Sequence, residues 1–276
     1  MSAKNDIVRQ QRRWAESAGI AVDARAYVRS PCDNLCNPLA ANVLLELQGG
    51  SELEPAATRP ARMWWLASSA ALVVNVFDHW RQANPAPLLK ALGVEPQLRG
   101  LSFETVFSTG LEGDPPCVDV ALRLASGAVV AIESKFTEWL VPRPRNKAML
   151  KAKYFPDDRP LWTSRSLPAC QSLAQDIQQR RERFKFLHAA QLLKHALGLG
   201  TQLAGEFAIY YVYYDVPGTA SAQHAAEVER FASRVGPELR FKALTYQDLY
   251  RALRASDEVD RSYLEYLRAR YFPRIA

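Results

Sequence analysis

The chain has 276 residues, of which 48% are hydrophobic and 23% charged, and it carries a net charge of +6 with a pI near 9.2. That length and balance suffice for a large core and exclude a disordered or fibrous protein, while the basic excess leans toward a polyanionic partner. Four cysteines are too few for a disulfide scaffold, Cys32 and Cys36 lack a second ligand pair for zinc, and the polar start Met-Ser-Ala-Lys-Asn-Asp has no apolar leader, so the expectation is cytoplasmic residence.

Residues 3–18 read as an amphipathic helix ending near Gly19. Tyr27 to Pro60 mixes turns with one helix, Leu39–Leu47, and a break at Gly49-Gly50. A buried helix is predicted over 61–83. Its apolar part, Met63–Trp80, is interrupted by Ser68, Ser69, Asn75 and Asp78, and is too short and polar for a membrane span, which takes roughly 20 apolar residues. Asn75 has no role in this reading. A short helix follows at Pro87–Leu92, with proline in the first turn.

The periodicity then changes to that of strands. Ser102–Ser108 reads as one strand, Val118–Leu124 alternates as a second, and Ser126-Gly127 connects it tightly to a third, Ala128–Phe136. A connection this short forces an antiparallel pair, because a parallel crossover needs a dozen or more residues. Residues 139–168 read as a long Pro-, Arg- and Lys-rich loop, and 170–197 as one long helix closed by Gly198 and Gly200. An aromatic, β-branched strand, Glu206–Asp215, is followed by a helix at 221–235, a strand at 240–245 and helices at 246–254 and 259–270. This order predicts a mixed sheet with helices on both faces.

Charge appears where strand interiors normally exclude it. Asp119 sits within Val118-Asp119-Val120-Ala121-Leu122, and Glu133 and Lys135 end the run Val129-Val130-Ala131-Ile132-Glu133-Ser134-Lys135. Alternation points Glu133 and Lys135 to one side, and the tight hairpin can bring Asp119 level with Glu133. Two convergent carboxylates resist ionisation unless a hard cation compensates them. A cation held by Asp119 and Glu133 could polarise a phosphoryl oxygen and acidify a bound water, with Lys135 orienting that water or offsetting developing charge. The alternative is an ordinary solvated pair worth well under about 1 kcal/mol.

Glu104, then Val118-Asp119-Val120, then Ile132-Glu133-Ser134-Lys135 resembles the PD-(D/E)xK nuclease superfamily, and more narrowly bacterial proteins described as restriction endonucleases. The resemblance implies an α/β fold, a restriction-endonuclease-like αβββαβ core with helical N-terminal and C-terminal extensions. It implies Mg2+ or Mn2+ bound by Asp119 and Glu133, Lys135 as the catalytic lysine, and Glu104 as the accessory acid and third metal ligand. Glu112 and Asp114 in the following turn are rivals for that place. The proline usual before the first acid is displaced to Pro115-Pro116. The expected organisation is an N-terminal helical extension over 1–59 packed on the core, a nuclease-like core over 60–245, and C-terminal helices over 246–276. Glu138 and Gln191 are further polar candidates near the site.

Between Trp139 and His195 the chain carries twelve Lys or Arg against four Asp or Glu. Pro142-Arg143-Pro144-Arg145-Asn146-Lys147, Lys151 and Lys153 lie just downstream of the acids, and Arg180, Arg181, Arg183, Lys185 and Lys194 follow. Such groups suit phosphate contacts, although charge runs are also ordinary solvated surface. Trp139, Tyr154, Phe155 and Trp162 could stack on bases or anchor the loop. The Tyr-rich strand reads as core. No phosphate-binding glycine loop, nucleophile elbow or histidine ligand spacing is present.

The expected function is Mg2+-dependent phosphodiester hydrolysis of nucleic acid, DNA in preference to RNA, by an endonuclease with no membrane association. A homodimer would provide two sites for two strands. The alternatives are a non-catalytic nucleic-acid-binding protein that keeps the fold, and a structural or interaction domain.

Overall fold

A computed structural model describes residues 2–48, 53–56, 60–144, 148–203, 206–236 and 238–275. The Gly49-Gly50 break and Arg145, Asn146 and Lys147 lie outside these residues. The described elements are α1 (Ala3–Ser17), α2 (Ala41–Gln48), α3 (Ser69–Phe77), α4 (Ala86–Leu92), β1 (Leu98–Val106), β2 (Cys117–Leu124), β3 (Val129–Lys135), α5 (Pro168–Gln178), α6 (Ala189–Gln202), β4 (Phe207–Tyr213), α7 (Thr219–Val235), β5 (Phe241–Thr245), α8 (Tyr246–Arg254) and α9 (Arg261–Tyr271). No described helix is long and apolar enough to cross a membrane.

The five strands form one mixed sheet in the order β1-β2-β3-β4-β5. β1, β2 and β3 are antiparallel neighbours, and β4 and β5 continue in parallel with β3. The antiparallel turn between β2 and β3 forms as its sequence predicts: Gly127 takes φ 93°, and the backbone N–H of Leu124 donates to Ala128 O at 2.9 Å. β3 is the central strand and is buried on both faces up to Lys135, which is why its sequence is a nearly continuous apolar run rather than an alternating one.

Successive residues of the sheet enter two separate cores. Val120, Leu122, Val130, Ile132, Tyr210 and Val212 pack into one, together with α3, α8 and α9. Ala121, Val129, Ala131, Ile209 and Tyr211 pack into the other, against α5, α6 and α7. This arrangement is an α/β, restriction-endonuclease-like core with helical extensions at both ends. The Tyr-rich strand is core, as expected: Tyr211 and Tyr213 are buried and their rings stack at 5.6 Å.

Two predicted helices are subdivided. The 61–83 segment is a 3-10 turn, then α3, then a second 3-10 turn at Asp78–Arg81, because Ser68 caps α3 by accepting from Ala71 N at 3.3 Å. Asn75, unassigned by the sequence, binds Cys36 N, Asn34 O and Tyr271 Oη, and so ties α3 to the N-terminal loop and to α9. The single helix predicted over 170–197 is two helices, α5 and α6, separated by residues 179–188. Gly198 and Gly200 lie inside α6 instead of ending it. A Cβ at Gly198 would lie 2.3 Å from Phe107 O, so this glycine lets α6 seat against the end of β1.

Candidate active site

The acids occupy one level of the sheet. In register, Glu104 falls between the Phe103–Val120 and Thr105–Val118 pairs and so stands opposite Asp119; extending the Val120–Ile132 pairing by one step stands Asp119 opposite Glu133. Neither position is itself a ladder pair. The strands deform here: Glu104 has φ 44°, and Val118 packs into the opposite core from Val120. The Asp119 carboxylate instead accepts the backbone N–H of Ser134 at 2.6 Å, occupying the gap where β2 leaves β3. Positive φ at a non-glycine residue is uncommon and costs conformational energy, so the deformation is imposed by its surroundings.

Glu133 is the most enclosed of the three acids, with 2% of its side chain exposed. Its Oε1 pairs with the Lys135 ammonium, and its Oε2 bonds His195 Nε2, from α6, at 2.8 Å. Burial alone would raise the Glu133 pKa, but Lys135 and His195 outweigh it and hold the carboxyl at about 2. Asp119 responds in the opposite sense: burial and then the Glu133 charge push it well above the usual range, Lys135 offsets part of this, and Glu104 adds to it. Lys135 loses by burial and gains more from Glu133, Asp119 and Glu138, so its pKa is raised. Glu104 and Asp119 are partly exposed, and the Cys117 thiol donates to Glu104 Oε2 at 3.3 Å.

Among the described residues, no three His, Cys, Asp or Glu side chains converge as a ready metal-binding group. The reason is visible at Glu133, whose two oxygens are turned to Lys135 and His195. The donor set nonetheless suits a hard divalent cation. It consists of carboxylate oxygens, each with lone pairs left after one hydrogen bond. Burial and then the neighbouring acids also hold Asp119 at raised pKa, and a cation would relieve the repulsion.

The other candidates separate. Glu138 is exposed and accepts the N–H groups of Phe136 and Thr137 at 2.9 and 3.0 Å, so it caps the turn after β3 while its charge acts on Lys135. Glu112 and Asp114 are exposed in the β1–β2 connection, where Lys153 Nζ donates to Glu112 O. Gln191 bonds His188 Nδ1 at 2.7 Å. Trp139, Tyr154 and Trp162 are buried anchors of the 139–168 loop, with Trp139 stacked on His224 and donating to Tyr214 O.

Besides Lys135, Lys194 and Arg143 lie within range of the Glu133 charge. Lys194 is affected by Glu133, Lys151, Lys153 and Arg143, and Arg143 is affected by Glu133 and Glu138. Arg143 Nε is buried without a hydrogen-bond partner among the described residues. His195 is a site residue that no motif in the sequence marks.

A protein-family profile described as Restriction Endonuclease associating with ARP matches residues 6–272 of the chain. No curated protein and no solved structure gives a match.

Proposed function

Since the chain belongs to the REase-ARP family, described as restriction endonucleases associating with ARP, we propose that it hydrolyses phosphodiester bonds of DNA with Mg2+ or Mn2+. The observation that carries this reading is the alignment of Glu104, Asp119 and Glu133 at one level of three adjacent strands, with Lys135 paired to the innermost acid. Asp119, Glu133 and Glu104 would hold the cation, which supplies a Lewis acid for the phosphoryl group and a more acidic bound water. Lys135 orients the attacking water and offsets charge developing on the phosphoryl oxygens. His195 holds Glu133 in place through Oε2. Arg143, Lys151, Lys153 and Lys194 draw the strand's phosphates toward the acids, with affinity that falls as salt rises.

The family description names association with ARP, and a partner of that kind belongs to the proposal. A non-catalytic reading takes support from the closed Lys135–Glu133–His195 network.

Plasmid, single-stranded DNA and RNA incubated with Mg2+ or Mn2+ decide between the two. We expect metal-dependent cleavage of DNA that falls by about a hundredfold or more in Glu133→Gln and in Lys135→Ala. Cleavage that is unchanged in both variants would remove these residues from the chemistry, and binding without cleavage would favour the non-catalytic reading.

A further inference from the structure

The segment between α5 and α6 borders a half-open cavity of about 220 Å3. Ile177, Phe184 and Leu187, all buried, form its apolar lining together with the half-buried Met149. This segment is fixed from outside. The Glu227 carboxylate of α7 accepts the backbone N–H groups of Lys185, Phe186 and Leu187 at 2.7, 2.8 and 2.9 Å. The cavity is therefore built into the fold by three charge-assisted hydrogen bonds, which are the stronger kind.

Its charge is one-sided. Glu182, the acid in the lining, is balanced by Arg230 and Arg234 of α7. Arg180 and Arg183, also in the lining, pair with no carboxylate among the described residues, whereas the adjacent Arg181 is paired with Asp176. An apolar chamber bordered by unpaired guanidinium groups suits a ligand with a flat apolar body joined to an anion. The volume falls below the roughly 300–1,000 Å3 of drug-sized sites, so it admits one ring system rather than a whole nucleotide.

His188 is the lining residue that relates the cavity to the acidic cluster, because it lies within range of the charges of Arg143, Lys135 and Glu133. Burial, with Arg143 and Lys135, lowers the His188 pKa to about 3, so the ring is neutral at pH 7. His188 Nδ1 shares a 2.7 Å hydrogen bond with Gln191 Oε1; in the tautomer that places the proton on Nδ1, Nε2 is an acceptor, the kind of group that can read the edge of a base.

We infer that this cavity receives a single unstacked nucleobase of the strand bound at the acidic cluster, with the adjoining phosphates on Arg180 and Arg183. This inference rests on the nucleic-acid reading of the site. It commits the substrate to a single-stranded or locally unpaired segment, because a base inside a duplex is not available to such a chamber.

The test uses single-stranded DNA oligonucleotides carrying 2-aminopurine at successive positions, bound in EDTA so that no hydrolysis occurs. The expected result is a fluorescence change confined to one position. Met149→Trp, which fills the chamber from its half-exposed wall, abolishes that change and weakens binding about tenfold. An abasic nucleotide at the same position weakens binding to the wild type and not to Met149→Trp, since both changes remove one interaction. Arg183→Ala, at an exposed site, weakens binding and flattens its salt dependence. A signal that is uniform along the strand, or unchanged in Met149→Trp, overturns the cavity assignment even when Mg2+-dependent cleavage is present. A position-specific signal without cleavage in Mg2+ keeps the cavity and removes the hydrolytic reading, whereas absence of all oligonucleotide binding overturns both.

Discussion

Asp119 is the residue at which stability and chemistry conflict. The proposed chemistry places its carboxylate near Glu133 and Glu104, and burial, then the charges of those same neighbours, raise its pKa. The sign follows from linkage. A carboxyl whose folded pKa lies above its unfolded value adds stability at low pH and loses it as pH rises through the folded pKa. Glu133 behaves oppositely, since its pKa is depressed to about 2 and its contribution disappears only below the unfolded range as pH falls toward that value. Asp119→Asn keeps an acceptor for Ser134 N and removes the repelled charge. In EDTA at neutral pH the variant should melt higher than the wild type, by about 2–4 °C for each kcal/mol relieved, and its melting temperature should depend less on pH. Added Mg2+ should raise the melting temperature of the wild type, by an amount set by its concentration relative to Kd, and leave the variant unmoved. Scanning calorimetry reads both effects; a lower melting temperature for Asp119→Asn in EDTA, or an equal Mg2+ shift in the two proteins, would contradict this account.

At the scale of elements, local signals were legible and long-range ones were not. The β2–β3 hairpin follows from alternation and Ser126-Gly127, and the level placement of Asp119 and Glu133 follows from the hairpin. The interruption between α5 and α6 does not, because residues 179–188 include good helix formers such as Gln179, Arg181 and Glu182. What stops the helix is tertiary: Arg180 adopts φ 61°, and Glu227, more than 40 positions along the chain, holds the next segment. His195 was hidden for the same reason, since its partner Glu133 is 62 residues away. α6 thus carries His195 to the sheet, and Gly198 sets how closely it approaches. Gly198→Ala puts a methyl group against Phe107 O. We expect a loss of about 1–3 kcal/mol, the usual range for overpacking, and a lower cleavage rate as His195 is withdrawn from Glu133. Chemical denaturation and single-turnover cleavage test the two parts separately. A variant as stable and active as the wild type would show that α6 has slack at this contact.

Across the whole molecule, the C-terminal helices reach back to the site and to the N-terminus. Tyr246, the first residue of α8, shares a 2.6 Å hydrogen bond with Ser134, the residue between Glu133 and Lys135. From the same side of the sheet, Tyr214 Oη donates to Tyr271 O at 2.6 Å, and Arg270 of α9 is 0% exposed. The Arg270 guanidinium has no carboxylate partner among the described residues. It donates to Asn34 O at 2.7 Å, Leu66 O at 3.3 Å, Gln11 Oε1 at 3.1 Å and Tyr266 Oη at 2.7 Å, also reaches Asn34 Oδ1, and lies 4.2 Å from the Trp14 ring centroid. One side chain therefore joins α1, the loop before α2, the turn before α3 and α9. Truncating it leaves several buried acceptors unsatisfied at about 1–3 kcal/mol each before relaxation. Arg270→Ala should accordingly cost about 3–5 kcal/mol, at the upper end for a single substitution. Arg270→Lys should recover little, because an ammonium cannot reproduce the planar fork that meets acceptors on both sides and stacks on Trp14. Since Arg270 touches neither the acids nor Lys135, the fraction of either variant that stays folded at low temperature should bind oligonucleotide with wild-type affinity. Full rescue by lysine would mean that charge alone holds this junction, and weakened binding by fully folded protein would mean that the junction also sets the geometry of the acidic cluster through α8 and Ser134.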